Sequence, residues 1–301
     1  MQQFKDNTQA SINKGKAGKR ERLLNFVLLN LSAYSAWAPS LATPAAWQTW
    51  SGDSLPADDG SAPDLRFVDT MMRRRLGRLS RMALQVANEA AMGLPRLTTI
   101  FASRHGELSR TVTILHDLAA GEMPSPAAFS LSVHNATAGI FAIARGDHSP
   151  STALAAGDET LLWALQEAAV RLAGEPDTPV LLVYADEPLP GEYQPFRAAS
   201  GPAHALALLL RPGTGLALEW TANPDLPPSP EPLSLALLAH LLGRRETLAW
   251  HGEIAVDGGI EPANARAVRD AGAGTLIAGT AVFAAADRHH AMMALRGEEV
   301  S

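Results

Sequence analysis

The sequence predicts an α/β fold in which a sheet is layered between helices. Three observations carry that expectation. Short apolar runs of strand length alternate with runs of helical period from Leu23 to Ala185. A Gly-rich break, Pro212-Gly-Thr-Gly215, then separates two further apolar runs and reads as a hairpin turn. Finally, 47% of the 301 residues are apolar and 19% are charged, enough to fill the core of one large domain or two.

The elements follow in order. Residues 1–22 are polar and basic, with Lys5, Lys14, Lys16, Lys19, Arg20 and Arg22, and are expected to be a disordered extension. Leu23 to Leu31 reads as a first strand. Trp37, Trp47 and Trp50 then crowd a Pro-containing connection, where they are expected to pack that connection onto the core. Ser51 to Pro63 is acidic loop. Val68 to Ala91 is expected as one helix, because Met72, Leu76, Leu79, Ala83 and Val86 form a single apolar stripe. Arg74, Arg78 and Arg81 would share another face of it.

Leu97 to Ser103 reads as a strand, with Arg104-His105-Gly106-Glu107 at its C-terminal end. That end is where α/β proteins place working groups. His105 beside Glu107 is a candidate acid–base pair. The plainer reading, preferred here, is that Arg104 and Glu107 fix the loop and cap the next helix, Ser109 to Ala120. Phe129 to Val133 alternates apolar and small polar residues and reads as a strand. His134-Asn135 then opens a helix stopped at Gly146, with Asn135 as its N-cap. A strand–turn–helix elbow of this kind presents a nucleophile in many enzymes. Its tip here carries an amide, which is no nucleophile.

Further strands are expected at Ser151 to Ala156 and Pro179 to Ala185, with a helix from Thr160 to Ala173 between them. Gly191 to Gly201 is loop. Ala203 to Leu210 and Leu216 to Trp220 form the hairpin arms. Thr221 to Pro232 contains five prolines, and a short apolar helix, Leu233 to Leu242, follows.

The bulk numbers narrow the function. A net charge of −6 argues against general nucleic-acid binding. Zero cysteines exclude disulfides, thiolate metal sites and thiol catalysis together. No metal and no cofactor is expected. Leu23 to Leu31 is far shorter than the roughly 20 residues of a membrane-spanning helix, and no signal-peptide pattern precedes it. A cytoplasmic protein is expected.

Phe129 to Asp158, with Phe101-Ala-Ser-Arg-His-Gly-Glu107 before it, resembles the N-terminal half of β-ketoacyl synthases. Within that family it looks most like the short chain-length factors found beside aryl-polyene and fatty-acid-like gene sets. The resemblance runs from about Leu24 to Trp250. It implies a thiolase-like half, a layered α/β sandwich, in which Asn135 stands where a condensing enzyme carries its acyl-bearing Cys. It also implies a non-catalytic partner of a β-ketoacyl synthase, forming a heterodimer and an apolar acyl tunnel. Arg74, Arg78 and Arg81 would then be a docking stripe for an acidic acyl carrier protein.

From His251 the character changes. Glu253 to Ile260 reads as a strand ending in Asp-Gly-Gly, Glu261 to Ala271 as a helix, and Thr275 to Phe283 as another strand. This resembles the last two βα units of ribulose-phosphate 3-epimerase, a TIM barrel. There the residue matching Asp257 moves a proton, and backbone around Gly258, Gly259, Gly279 and Thr280 holds the substrate phosphate. About fifty residues of a fold that takes about 250 make a partial (β/α) fragment. The expected domains are therefore 1–22, 23–250 and 251–301. Competing readings are an acyl-processing enzyme using Ser132 and His134, an epimerase-like activity through Asp257, and an inert fusion.

Overall fold

A computed structural model describes residues 26–196, 201–219, 229–246, 248–250, 254–257, 261–270, 273–277, 282, 285 and 287–296. Its main sheet has five strands: β1 (Phe26–Trp37), β2 (Thr98–Ala102), β3 (Ser151–Leu154), β4 (Val180–Asp186) and β5 (His204–Glu219). They lie in the order β1-β5-β4-β2-β3. The β2 strand is parallel to β3 and β4, while β5 runs antiparallel to both β4 and β1.

The helices are α1 (Pro44–Thr49), α2 (Thr70–Arg73), α3 (Arg78–Ala90), α4 (Leu108–Ala119), α5 (Pro126–Ser130), α6 (Ala136–Arg145), α7 (Thr160–Gly174) and α8 (Leu233–Leu241). Side chains of a strand alternate between faces, and every residue of β4 is buried. So Leu181, Val183 and Ala185 pack on one side with α3 and α6, and Val180, Leu182 and Tyr184 on the other with α7 and α8. The result is an α/β/α sandwich with an apolar layer on each face of one sheet.

Trp37, Trp47 and Trp50 are buried, as the sequence suggested. The Trp47 and Trp50 indoles donate to the carbonyls of Ala36 and Ser54, and their rings meet edge to face. Burying an indole leaves its N–H needing a partner, and these carbonyls supply it.

Four expectations need correction. The first strand does not end at Leu31 but continues to Trp37, across register shifts at Leu29/Asn30 and Leu31/Ala33. The hairpin at Pro212–Gly215 is absent, because β5 runs through it as one strand. Leu216 pairs with Leu29 and Arg211 with Asn30, so the four intervening residues bulge out opposite Asn30. A Cβ at Gly213 would strike the Asn30 side chain, which explains the residue chosen there.

The single helix Val68 to Ala91 is two, α2 and α3, broken ahead of Gly77. The Glu107 carboxylate fills the space where a Cβ on residue 77 would sit, and it accepts from the Ser80 backbone N–H. It therefore caps α3 from a distant loop, rather than capping the helix after it. Finally, Phe129–Val133 is no strand. Ser125 accepts from the Ala128 N–H and Pro126 occupies the first helical turn, so the chain turns helical as α5. Five alternating residues carry too little pattern to outweigh that start signal.

The C-terminal residues add a second sheet. Strands β6 (Ile254–Asp257) and β7 (Ala273–Ile277) make a parallel two-stranded sheet connected through α9 (Pro262–Asp270), and α10 (Arg288–Arg296) follows. This is one βα unit of barrel type and the start of another. The second strand starts two residues ahead of Thr275, where the sequence placed it.

Candidate functional site

The C-terminal ends of β2 and β4 hold the densest set of buried polar groups. Asp186, the last residue of β4, accepts from the Ser103 hydroxyl (3.2 Å), the Arg104 backbone N–H (3.1 Å) and the Tyr184 hydroxyl (2.7 Å). The Arg104 guanidinium also binds it, and reaches Asp158 at 2.9 Å. Burial opposes the charge on Arg104, yet Asp186 beside it holds the pKa well above its usual value. Burial, and then the charge of Asp186, push the Tyr184 phenol up. The next residue of the sheet, His204, pairs with Asp186 across β4 and β5. It is fully buried, and its Nε2 lies 2.5 Å from the Ser234 hydroxyl at the start of α8.

This network meets the elbow through one hydrogen bond. Nε2 of His134 donates to the Ser103 carbonyl at 2.9 Å. Gly106 has φ of 57°, and a Cβ there would meet the His134 ring, so glycine is required. Behind the elbow, Thr137 and Ser80 share a hydrogen bond of 2.7 Å, and Ser80 donates to Glu107. A cavity of about 20 Å³ lies against His134, Thr137 and Glu107, room for roughly one water.

At the tip, Asn135 occupies the N-cap position of α6, as expected, and Gly146 closes the helix in the left-handed conformation. The connection into it is helix–turn–helix. The Asn135 side chain is exposed and takes no capping hydrogen bond. Exposed apolar side chains precede it in the chain, Phe129 at 61% and Val133 at 44%, and Ile143 is 76% exposed in the last turn of α6.

The other candidates scatter. Ser132 donates to the Phe129 carbonyl and not to His134, so the two form no catalytic pair. His105 is exposed while Glu107 is buried toward α3, so they do not act together. Loss of hydration outweighs the pull of Asp186 and holds the His105 pKa below its usual value. The arginines do not share one helix: Arg74 follows α2, and Arg78 and Arg81 lie on α3. Arg78 is bound by Asp58 (2.7 Å) and Glu187 (3.3 Å). Arg81 donates to the carbonyls of Pro63, Arg73 and Leu76, and Arg74 stands exposed at the end of α2. The helix break at Gly77 places Arg74 on a different element from Arg78 and Arg81. Asp257 closes β6, and Gly258, Gly259, Gly279 and Thr280 lie outside the described residues.

The sequence reading missed Asp186, Ser80 and Thr137. Thr137 is a polar residue inside an apolar run, a signal the sequence did offer, whereas Ser80 adjoins Arg81 and Asp186 is followed by Glu187, so neither stands out locally. Among the described residues, no group of three His, Asp or Glu side chains could hold a metal, and no helix is long and apolar enough to cross a membrane.

A family model described as the beta-ketoacyl synthase N-terminal domain matches residues 47–256. A second, for the ribulose-phosphate 3 epimerase family, matches residues 240–283. Among solved structures, that of a ketosynthase (ApeO) in complex with its chain length factor (ApeC) from Xenorhabdus doucetiae is similar. The match has 31% identity and a TM-score of 0.66, over 75% of this chain and 96% of the matched one. A β-ketoacyl synthase from Burkholderia phymatum STM815 is 15% identical with a TM-score of 0.49, over 63% of this chain and 59% of that one. The ishigamide ketosynthase/chain length factor is 17% identical with a TM-score of 0.48, over 64% and 63%. No curated protein matches.

Proposed function

The chain belongs to the beta-ketoacyl synthase N-terminal domain family, and we propose that within it the chain is a non-catalytic chain length factor. It would pair with a catalytic β-ketoacyl synthase in aryl-polyene- or fatty-acid-type chain elongation. The observation that carries this reading is the elbow itself. The turn between α5 and α6 carries Asn135 at its tip, and the chain has no cysteine anywhere. An amide nitrogen is delocalised into its carbonyl and cannot hold an acyl thioester.

The cavity behind the elbow, about 20 Å³, is far too small for an acyl chain. Any acyl chain this protein helps to measure would therefore run along a surface shared with the partner. The exposed apolar groups Phe129 and Val133 before the turn, and Ile143 farther along α6, suit such a surface. Similarity to one chain of a ketosynthase–chain length factor complex over 96% of its length supports the same pairing. Carrier-protein docking would fall to Arg74, since Arg78 and Arg81 are already bound within the fold. We read 23–250 as the factor, 1–22 as an extension, and 251–301 as an appended epimerase-like segment. Phosphosugar binding by Asp257, Gly258, Gly259, Gly279 and Thr280 would need barrel strands that this short segment does not supply.

The test is co-purification with an aryl-polyene-type ketosynthase, using the full chain and a form ending at Trp250. A stable heterodimer from both is expected, with Phe129→Asp plus Ile143→Asp abolishing it. Neither this chain alone nor Asn135→Cys alone should condense acyl groups. Failure of both forms to bind, or condensation without the partner, would overturn the reading.

A further inference from the structure

We propose that the free edge of β1 docks an extended peptide segment of a partner protein, with apolar side chains at alternate positions and Lys or Arg between them. On one side β1 pairs with β5, and on the other it pairs with no strand among the described residues. An edge strand offers unpaired N–H and C=O groups to a guest. Their direction can be read from one contact. The Trp47 indole donates to the Ala36 carbonyl at 2.9 Å, so that carbonyl is turned toward α1 rather than β5 and is already taken there. Backbone direction alternates along an antiparallel strand, so Tyr34, two residues back, presents its N–H and C=O outward as well.

Grooves flank this edge on both faces of the sheet. One, of about 360 Å³, is walled by Trp47, Leu238 and Leu242 and reaches round the edge to Glu89. The other, of about 430 Å³, lies on the α3 side, lined by Trp37, Leu65, Phe67, Gln85 and Asn88. Successive side chains of a guest strand would enter the two alternately. Strand addition of this kind draws affinity from backbone hydrogen bonds and specificity from alternate pockets.

Two further features point the same way. Glu89 is exposed between the grooves, accepts from Ser35 and Gln85, and forms no ion pair among the described residues. A carboxylate placed there selects a basic side chain. Leu65, in the wall of the second groove, is buried yet has φ of 49°. A bulky residue held in the left-handed region is strain that commonly accompanies a binding surface.

The probe is a fluorescein-labelled octapeptide, Ser-Leu-Arg-Val-Lys-Leu-Thr-Ser, titrated with the full chain by anisotropy. Saturable binding is expected, with a Kd on the order of 100 µM or tighter. N-methylation of one alternate set of peptide amides should abolish it, while methylation of the other set leaves it intact. Glu89→Lys, at an exposed position, should weaken binding about tenfold and should bind the peptide carrying Glu in place of Arg and Lys. No saturation by about 1 mM, equal loss from both methylated sets, or indifference to Glu89→Lys would each overturn the proposal. So would displacement of the probe, at least tenfold more tightly than by unlabelled probe, by a synthetic peptide of residues 1–22. That result would make the chain's own basic tail the occupant.

Discussion

The polar network at the ends of β2 and β4 and the elbow at the start of α6 are neighbours, joined by the His134–Ser103 hydrogen bond, yet they are built in opposite ways. In the network, Asp186, Arg104, Tyr184 and His204 are withdrawn from water and each has a named partner. At the elbow, Asn135, Phe129 and Val133 face solvent, and the Asn135 side chain makes no capping bond. Buried polar groups must be satisfied where they stand, so they fix a scaffold. An exposed tip without side-chain bonds is free to change its chemistry. The difference separates a part of the fold that is fixed by its own buried bonds from one whose side chains are open to solvent.

The sharpest way to break that contrast is Asp186→Ala. It removes the acceptor of Ser103 and Tyr184 and one carboxylate partner of the Arg104 guanidinium, which is 6% exposed. Breaking a buried ion pair by removing one partner costs about 3–5 kcal/mol. Urea unfolding of the full chain should show a loss of that order. A loss below about 1 kcal/mol would mean that the network is no more structural than the elbow.

A smaller effect should appear with pH. Nδ1 of His204 faces the Pro202 carbonyl at 2.7 Å, and a carbonyl only accepts, so Nδ1 carries the proton. Nε2 is then the acceptor for the Ser234 hydroxyl, and the ring is neutral with both nitrogens used. Burial holds its pKa below the ordinary 6.5. The unfolded chain thus takes up a proton more readily than the folded one. This contribution to stability is complete above pH 6.5 and is lost as pH falls from there toward the folded value. Urea midpoints at pH 7 and pH 5 should differ, and His204→Gln should reduce the difference. Equal slopes in both proteins would remove His204 from the network's role.

How much of this was legible in the sequence follows the same division. The runs Val180–Asp186 and Thr98–Ala102 are apolar because both of their faces are covered, and such runs declare themselves without tertiary knowledge. The break at Gly77 does not, because its cause is Glu107, a residue thirty positions away that fills the space beside it. The passage of β5 through Pro212–Gly215 is likewise decided across the sheet, by pairing with β1 on both sides of the bulge. A turn signal is local and a strand partner is not. At the site, the position of Asn135 was legible because a helix start has a local signature. The pairing of Arg104 with Asp186 was not, because it joins the ends of two strands that meet only in the fold.

The least costly change should be at the tip of the elbow. An N-cap Asn is ordinarily worth about 1 kcal/mol over Ala, because its side chain takes a free N–H of the first turn. Thr43 does this for α1, accepting from the Ala46 N–H at 3.2 Å, whereas Asn135 takes no such bond in α6. Asn135→Ala should therefore shift stability by less than about 0.5 kcal/mol, and Thr43→Ala should cost about 1 kcal/mol, when both are measured by urea unfolding. If Asn135→Ala proved as costly as Thr43→Ala, the amide would be anchored in solution, and the elbow would belong with the scaffold. If the shift is small, nothing in the fold itself demands Asn at this position. An amide there would then be a matter of what meets this exposed turn, not of what the turn needs in order to fold.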